Sequence, residues 1–440
     1  MKKVLYVFLV LMISLLTVNS VSEATSIPGG PLSSAINIQN IGSAEAAVTV
    51  QYYTAVGTLA HTSSHTIAVD DVLFVYVPNV SELASGEYSV VISSDQPIAA
   101  ISNFSDSDSG ASYSGFDTGA TTWFIPAAYD NYYGYYSEVY AQNISGSSAD
   151  ITLEVFAPGS STSVYTNTKT AVPANTSVEW SQAGLSELNN NVPYSAKVTS
   201  TGDVVAMANI YGSGGTEQQL YSYNGFPSGA IEFFTPVVMK NYHDWNVAIA
   251  IQNVSASAAS VTVDYSTGQS KNYTIQPNSS ESIYAPAEID LPNGLFSATI
   301  TSDQDIAVMV NQSNNYNRAA TYNGVWEATT VVNAPNVMKR YYNYSSSITC
   351  QNLGTTDTTM TINYANQPSA SKTSDIIPSG DSWIIYLPSE GALPDNFNGS
   401  AVITSNTAAP ITCIINSNMD EAPYNTQMMD QLYSYNGVNK

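Results

Sequence analysis

The chain has 440 residues and sets 11 Lys and Arg against 35 Asp and Glu, a formal net charge of −24. No basic residue stands between Lys3 and Lys169, so the clustered cations needed to neutralise nucleic-acid phosphate or to dock on an anionic bilayer are missing. Apolar residues make up 44% and fall in short alternating runs that can bury a core, which argues against disorder.

The first segment reads as an export signal over residues 1–24. Lys2 and Lys3 form a positive start, Val4 to Val18 is an apolar run broken by Ser14 and Thr17, and Ser22-Glu23-Ala24 offers a cleavage site. The run is short of the roughly 20 apolar residues of a membrane span. The mature chain is therefore expected to start near Thr25, outside the cell or on its surface, with no membrane span of its own.

From there the sequence repeats. The anchor Gln-Asn-apolar-(Gly/Ser) occurs as Gln39-Asn40-Ile41-Gly42, Gln142-Asn143-Ile144-Ser145, Gln252-Asn253-Val254-Ser255 and Gln351-Asn352-Leu353-Gly354, at spacings of 103, 110 and 99 residues. Nine residues after each anchor Gln a strand begins with Val48-Thr49-Val50, Ile151-Thr152-Leu153, Val261-Thr262-Val263 or Met360-Thr361-Ile362. Strand ends are expected at Ile92-Ser93-Ser94, Val198-Thr199-Ser200, Ile300-Thr301-Ser302 and Ile403-Thr404-Ser405, followed by polar turns such as Asp303-Gln304-Asp305. Each unit closes on Tyr-(Asn/Ser)-Gly, at Tyr113, Tyr223, Tyr322 and Tyr435. Alternation of period two and abundant Val, Ile, Thr and Tyr predict strands, and no helical period is evident. The expectation is an all-β chain of four tandem immunoglobulin-like β-sandwich units: 25–118, 119–226, 227–325 and 326–440.

Only the last unit holds cysteines. Cys350 and Cys413 align with Ile38 and Ala100, Ala141 and Ala206, and Ile251 and Val308 in the other units. Apolar residues at both positions fit two facing core sites, and in an exported protein the two thiols are expected to form a disulfide. No further Cys completes a metal set.

Units 2 to 4 place a proline, Pro126, Pro236 or Pro335, 16 residues before the anchor Gln, with an aromatic cluster after it. The clusters are Tyr132, Tyr133 and Tyr135; Tyr242 and Trp245 flanking His243; and Tyr341, Tyr342 and Tyr344. Two readings stay open. The rings stack on sugars, or they pack against the preceding unit. Their absence from the first unit, which has no predecessor, favours packing. Asp106, Asp108 and Asp117 form a weak calcium candidate that departs from the EF-hand pattern at Gly110 and Ala111. No other cofactor is suggested. His61 and His65 lie in strand or loop context and make no zinc pair, and no nucleophile elbow or phosphate-cradling loop occurs, so the chain is expected not to be an enzyme.

These markers resemble the tandem Ig-like repeats of secreted bacterial cell-surface proteins. The resemblance implies a structural or adhesive role as rod, stalk or assembly subunit, with self-assembly or a surface glycan or protein as partner. A carbohydrate-binding array using the Tyr and Trp clusters is the alternative. The first unit, lacking the aromatic entry, is expected to be a free or capping end.

Overall fold

A computed structural model describes residues 4–10, 27, 32–212, 219–419 and 430–440, the first of these as backbone only. Among them the chain is all-β, with no α-helix and three single-turn 3-10 segments, Val77–Asn79, Ala285–Ala287 and Leu387–Ser389. Each of those turns has proline as its second residue, whose fixed φ suits a tight right-handed turn.

Among the described residues strands pair only within four consecutive stretches of chain, 4–114, 120–224, 230–323 and 331–439, called units 1 to 4 below. Unit 4 shows the plan as two sheets. One runs in the order Gln367–Thr373, Met360–Tyr364, Phe397–Ser405, Val331–Lys339 and Val438–Asn439. The other runs Ser382–Tyr386, Tyr344–Asn352, Ile411–Met419 and Leu432–Asn436. This is sandwich-like, but the order differs from the ABED and CFG sheets of an immunoglobulin domain. The first strand pairs with the sixth, and the fourth with the third.

In units 2 and 3 a single strand, Tyr194–Gly212 or Gly294–Asn314, serves both sheets. The strand ends expected at Ser200 and Ser302 are therefore corners. Ser302 still faces Val261, and four residues on Ile306 faces Asn253 in the other sheet. At this corner the Asp303 carboxylate accepts the Ser260 N–H at 2.7 Å, as Asp95 accepts the Ala47 N–H at 2.8 Å in unit 1, where the strand does end.

The anchor Asn explains itself in the same terms. Asn40, Asn143, Asn253 and Asn352 are all buried. In each, Nδ2 donates to the carbonyl four residues on and to one at the end of a more distant stretch, for example Ser257 at 2.7 Å and Ile275 at 2.8 Å from Asn253, while Oδ1 accepts the N–H two residues on. One side chain thereby satisfies a whole turn.

The Tyr of the closing marker is tied to the proline. Pro126, Pro236 and Pro335 sit in the entry strands Ala120–Ala128, Ala230–Lys240 and Val331–Lys339, and ladder pairing shifts register around the proline. The residue after each proline turns its carbonyl and N–H to the phenol: Tyr223 Oη donates to Ala127 O at 2.6 Å and accepts its N–H at 3.1 Å. Tyr322 and Tyr435 treat Val237 and Asn336 alike.

The four units close into a ring. Their last full strands, Gly110–Ser114, Leu220–Asn224, Ala319–Asn323 and Leu432–Asn436, each touch the next, and the fourth touches the first. A buried serine at one position of every unit crosses each seam. Ser195 Oγ donates to Asn278 O at 2.6 Å, Ser297 to Gly380 O at 3.1 Å and Ser400 to Asp70 O at 2.6 Å, while Ser89 and Ser177 share a hydroxyl pair at 2.6 Å. Entry strands pack forward across the seams: Ala120–Ala128 on unit 3, Ala230–Lys240 on unit 4 and Val331–Lys339 on Ser33–Asn40 and Ile98–Ser105 of unit 1. The first unit is thus no free end. It is clasped by the last.

The expected export signal lies outside the described residues except for Val4–Val10, whose backbone pairs antiparallel with Tyr88–Ser94.

The disulfide joins Cys350 and Cys413, directly opposite one another on adjacent strands of one sheet, with Cα atoms 4.1 Å apart. An immunoglobulin bridge spans two sheets instead. Both cysteines are fully buried. The bridge joins residues 63 apart in the chain, so its loss is expected to cost roughly 2–4 kcal/mol. Thermal unfolding with and without reductant checks this: the wild type loses several degrees on reduction, and the C350A/C413A double variant does not respond.

Candidate functional site

The closing markers build the ring's axis. At one end the Asn amides pass a hydrogen bond from unit to unit. Asn436 Nδ2 donates to Asn323 O at 2.6 Å, Asn323 to Asn224 O at 2.8 Å, and Asn224 to Ser114 O at 2.8 Å. Ser112 Oγ returns the contact from unit 1 to unit 4 by donating to Ser434 O at 2.7 Å. The glycine that follows is required by close approach: a Cβ at Gly225 would stand 3.0 Å from Ala206 O and 2.9 Å from the Ile125 side chain. Above this rosette opens a bowl of about 510 Å³. Its wall carries Trp326, half-buried against Phe226 and Phe233 with ring centroids 5.6 and 5.4 Å away, and the buried Trp123.

Asp430 pins the opposite end. It is fully buried and belongs to unit 4. Its N–H donates to Asp108 O of unit 1 at 2.8 Å, its Oδ2 accepts Leu220 N–H of unit 2 at 2.6 Å, and its Oδ1 accepts Ala319 N–H of unit 3 at 2.7 Å. One residue therefore ties all four units. Burial raises its pKa, while those N–H groups and Arg318 oppose the rise. Nothing in the sequence distinguishes this Asp from the other acidic residues. Asp430→Asn places an NH2 group against backbone N–H donors of Leu220, Ala319 or Leu432, and a loss of about 1–3 kcal/mol is expected, measurable by denaturant unfolding.

The aromatic clusters are tips of hairpins joining each entry strand to the strand after it. Tyr132 bridges Tyr135, Tyr242 bridges Trp245 and Tyr341 bridges Tyr344. The two residues between have positive φ: 50° and 89° at Tyr133 and Gly134, 46° and 67° at His243 and Asp244, 48° and 68° at Tyr342 and Asn343. This is the two-residue turn that matches strand twist; Gly134, Asp244 and Asn343 suit its second position, while Tyr133 and Tyr342 take the first against their preference. Tyr133 and Tyr342 point outward, each 74% exposed. Tyr135 packs on Tyr221 and bonds Gln219 of its own unit; Tyr344 does the same with Tyr433 and Gln431. Tyr132 reaches forward to Ser282 of the following unit. Tyr132 thus gives this cluster a contact with the next unit.

Asp106, Asp108 and Asp117 are not gathered. Asp106 Oδ1 accepts the N–H groups of Asp108 and Ser109, both at 2.7 Å, closing its own turn, while Asp117 lies at the rim of the bowl. Among the described residues no group of three or more His, Cys, Asp or Glu is placed to hold a metal.

An acidic cluster at the seam of units 1 and 2 has no signature in the sequence, because its members lie far apart in the chain. Glu87 comes from unit 1, and Glu138 and Glu179 from unit 2. Glu138 is 1% exposed and accepts the Tyr140 hydroxyl at 2.6 Å. Burial, and then the charge of Glu179, push Glu138 up to about 8 and Glu87 up to about 7. Burial also raises Glu179, with Tyr140 and Lys169 opposing. The folded chain thus holds protons on Glu87 and Glu138 that the unfolded chain releases near an ordinary glutamate value. Stability from this seam is full below that value and is lost as pH rises through about 7 and 8. The unfolding midpoint is expected to fall between about pH 5 and about pH 9, and Glu138→Gln to flatten the fall.

No protein-family model and no curated protein matches the chain. Among solved structures, the crystal structure of Thermotoga maritima 1070 is similar at 19% identity and a TM-score of 0.22, over 24% of this chain and 94% of that one. A Streptomyces avermitilis alpha-L-rhamnosidase complexed with L-rhamnose aligns at 7% identity and a TM-score of 0.14, over 85% of this chain and 54% of its own. A glycoside hydrolase family 32 protein from Bifidobacterium adolescentis aligns at 8% identity and a TM-score of 0.14, over 93% and 95%.

Proposed function

We propose that the chain is an exported, non-catalytic surface protein with a structural or adhesive role, built from four tandem sandwich units after a removable export signal. One observation carries the reading. The residues that recur in all four units serve turns, seams and the axis, so what the sequence repeats is architecture. Four units joined end to end through Ser400 and the Asn rosette present faces and rims, which supports an assembly subunit over a rod or stalk. A partner then meets the hairpin tips or the bowl. Cell fractionation and surface labelling of intact cells test the reading. Protein outside the cell, and weaker attachment or altered envelope ultrastructure in a deletion strain, support it. Retention in the cytoplasm contradicts it.

The outward rings of Tyr133 and Tyr342 favour another reading, glycan binding at the hairpin tips. A glycan array with the wild type and a Tyr133→Ala, Tyr342→Ala variant separates the two. Binding that the variant loses selects the glycan reading, and silence of both proteins at high concentration removes it.

A further inference from the structure

Units 2 to 4 own their entry strands, and unit 1 does not. Val331–Lys339 lies against Phe397–Ser405 with Val332 opposite Ile403, and from Val332 to Lys339 all its residues are buried. In unit 1 the matching partner is Tyr88–Ser94, and the strand beside it is Val4–Val10, with Tyr6 opposite Ile92. The register is that of unit 4 as far as Phe8 opposite Val90, without the shift that unit 4 makes around its proline, and this strand lies within the expected export signal. Where the other units carry their proline, 16 residues before the anchor Gln, unit 1 has Glu23.

We propose that, once the export signal is gone, the edge of Tyr88–Ser94 accepts an extended strand donated by another protein. The inference rests on the export reading. Continuity with the ring defines the site, since the same edge is filled in each other unit by a strand that also packs on the next unit. The site also states the donor's chemistry. Val90 and Ile92 on the inner face are fully buried and Val91 on the outer face is 8% exposed, so the donor is apolar on both faces. At the far end of the edge lies Glu87, where Asn398 stands in unit 4. The entry strands of units 3 and 4 end near this position in Lys240 and Lys339, whose ammonium groups donate to backbone carbonyls of their own units, Glu288 O and Glu390 O, so a terminal cation has a precedent at this end of the strand. A donor of about seven to nine residues ending in a cation meets both demands, and the unpaired backbone of the edge supplies the ladder.

The test uses the exported protein from culture medium, its first residue fixed by mass spectrometry, and a synthetic peptide copying Val331–Lys339. Hydrogen exchange is followed at those amides of Tyr88–Ser94 that point away from Ala46–Thr54, the strand already paired on the other side. Without peptide they exchange fast; with peptide they are expected to slow at least tenfold. Peptides carrying Val332→Asp or Lys339→Glu protect less. Protection already present without peptide, or none at millimolar peptide, overturns the proposal. A mass that retains residues 1–24 overturns the export reading, and the acceptor with it, by a readout separate from exchange.

Discussion

The structure depends on one repeated contact, the seam at which a unit lays its entry strand and a buried serine hydroxyl against the next unit. A single sandwich of about 100 residues buries only part of its surface. Here the entry strand is buried on both faces because its second face belongs to a neighbour. The demand passes from unit to unit and ends only when the last unit finds the first. Ser400 on Asp70 O and the Leu432–Asn436 strand against Gly110–Ser114 complete that circuit. The rosette of Asn amides and the Asp430 pin are consequences, since four units meeting on one axis crowd their backbone groups together and leave them to find partners in one another.

Scarcity of charge fits this plan. The seams are made mainly of serine hydroxyls, Gln and Asn amides and backbone carbonyls, with the buried Arg318, which donates to Met419 O at 2.8 Å across units 3 and 4, as a cation among them. Lysine that enters the interior does so as a donor to carbonyls: Lys339 Nζ reaches Glu390 O at 2.9 Å and Leu393 O at 2.6 Å. The seam of units 1 and 2 is the exception. Three carboxylates gather where the neighbouring chain offers little positive charge, and where unit 1 has no entry strand outside the segment expected to be removed. Two irregularities meet at one place, and the expected pH response and the proposed strand site both lie there.

Much of the fold was legible in the sequence because it rests on local rules. Period-two alternation marked the strands, the anchor Asn marked a turn that its side-chain amide satisfies, and equivalent apolar pairs marked Cys350 and Cys413 as facing positions. Strand order was not legible. The alternation of an entry strand is the same whether it pairs with the sixth strand of its unit or with its immediate successor. The tight turns at Tyr133-Gly134 and Tyr342-Asn343 were read only as aromatic clusters, since tyrosine does not announce positive φ. Ring closure was invisible for a physical reason: its residues, Ser89, Ser195, Ser297 and Ser400, are ordinary serines in a serine-rich chain, and a hydroxyl aimed at a distant carbonyl leaves no local signature. Asp430 and the Glu87–Glu138–Glu179 cluster owe their character wholly to burial.

The central claim is that the first and last units meet. Small-angle X-ray scattering of the purified protein tests it most directly. A closed ring behaves as one compact body, with a radius of gyration near the ~22 Å of a globular chain of this length. Four units strung in a line would give nearly double that value and a long tail in the distance distribution, and that result would contradict the account.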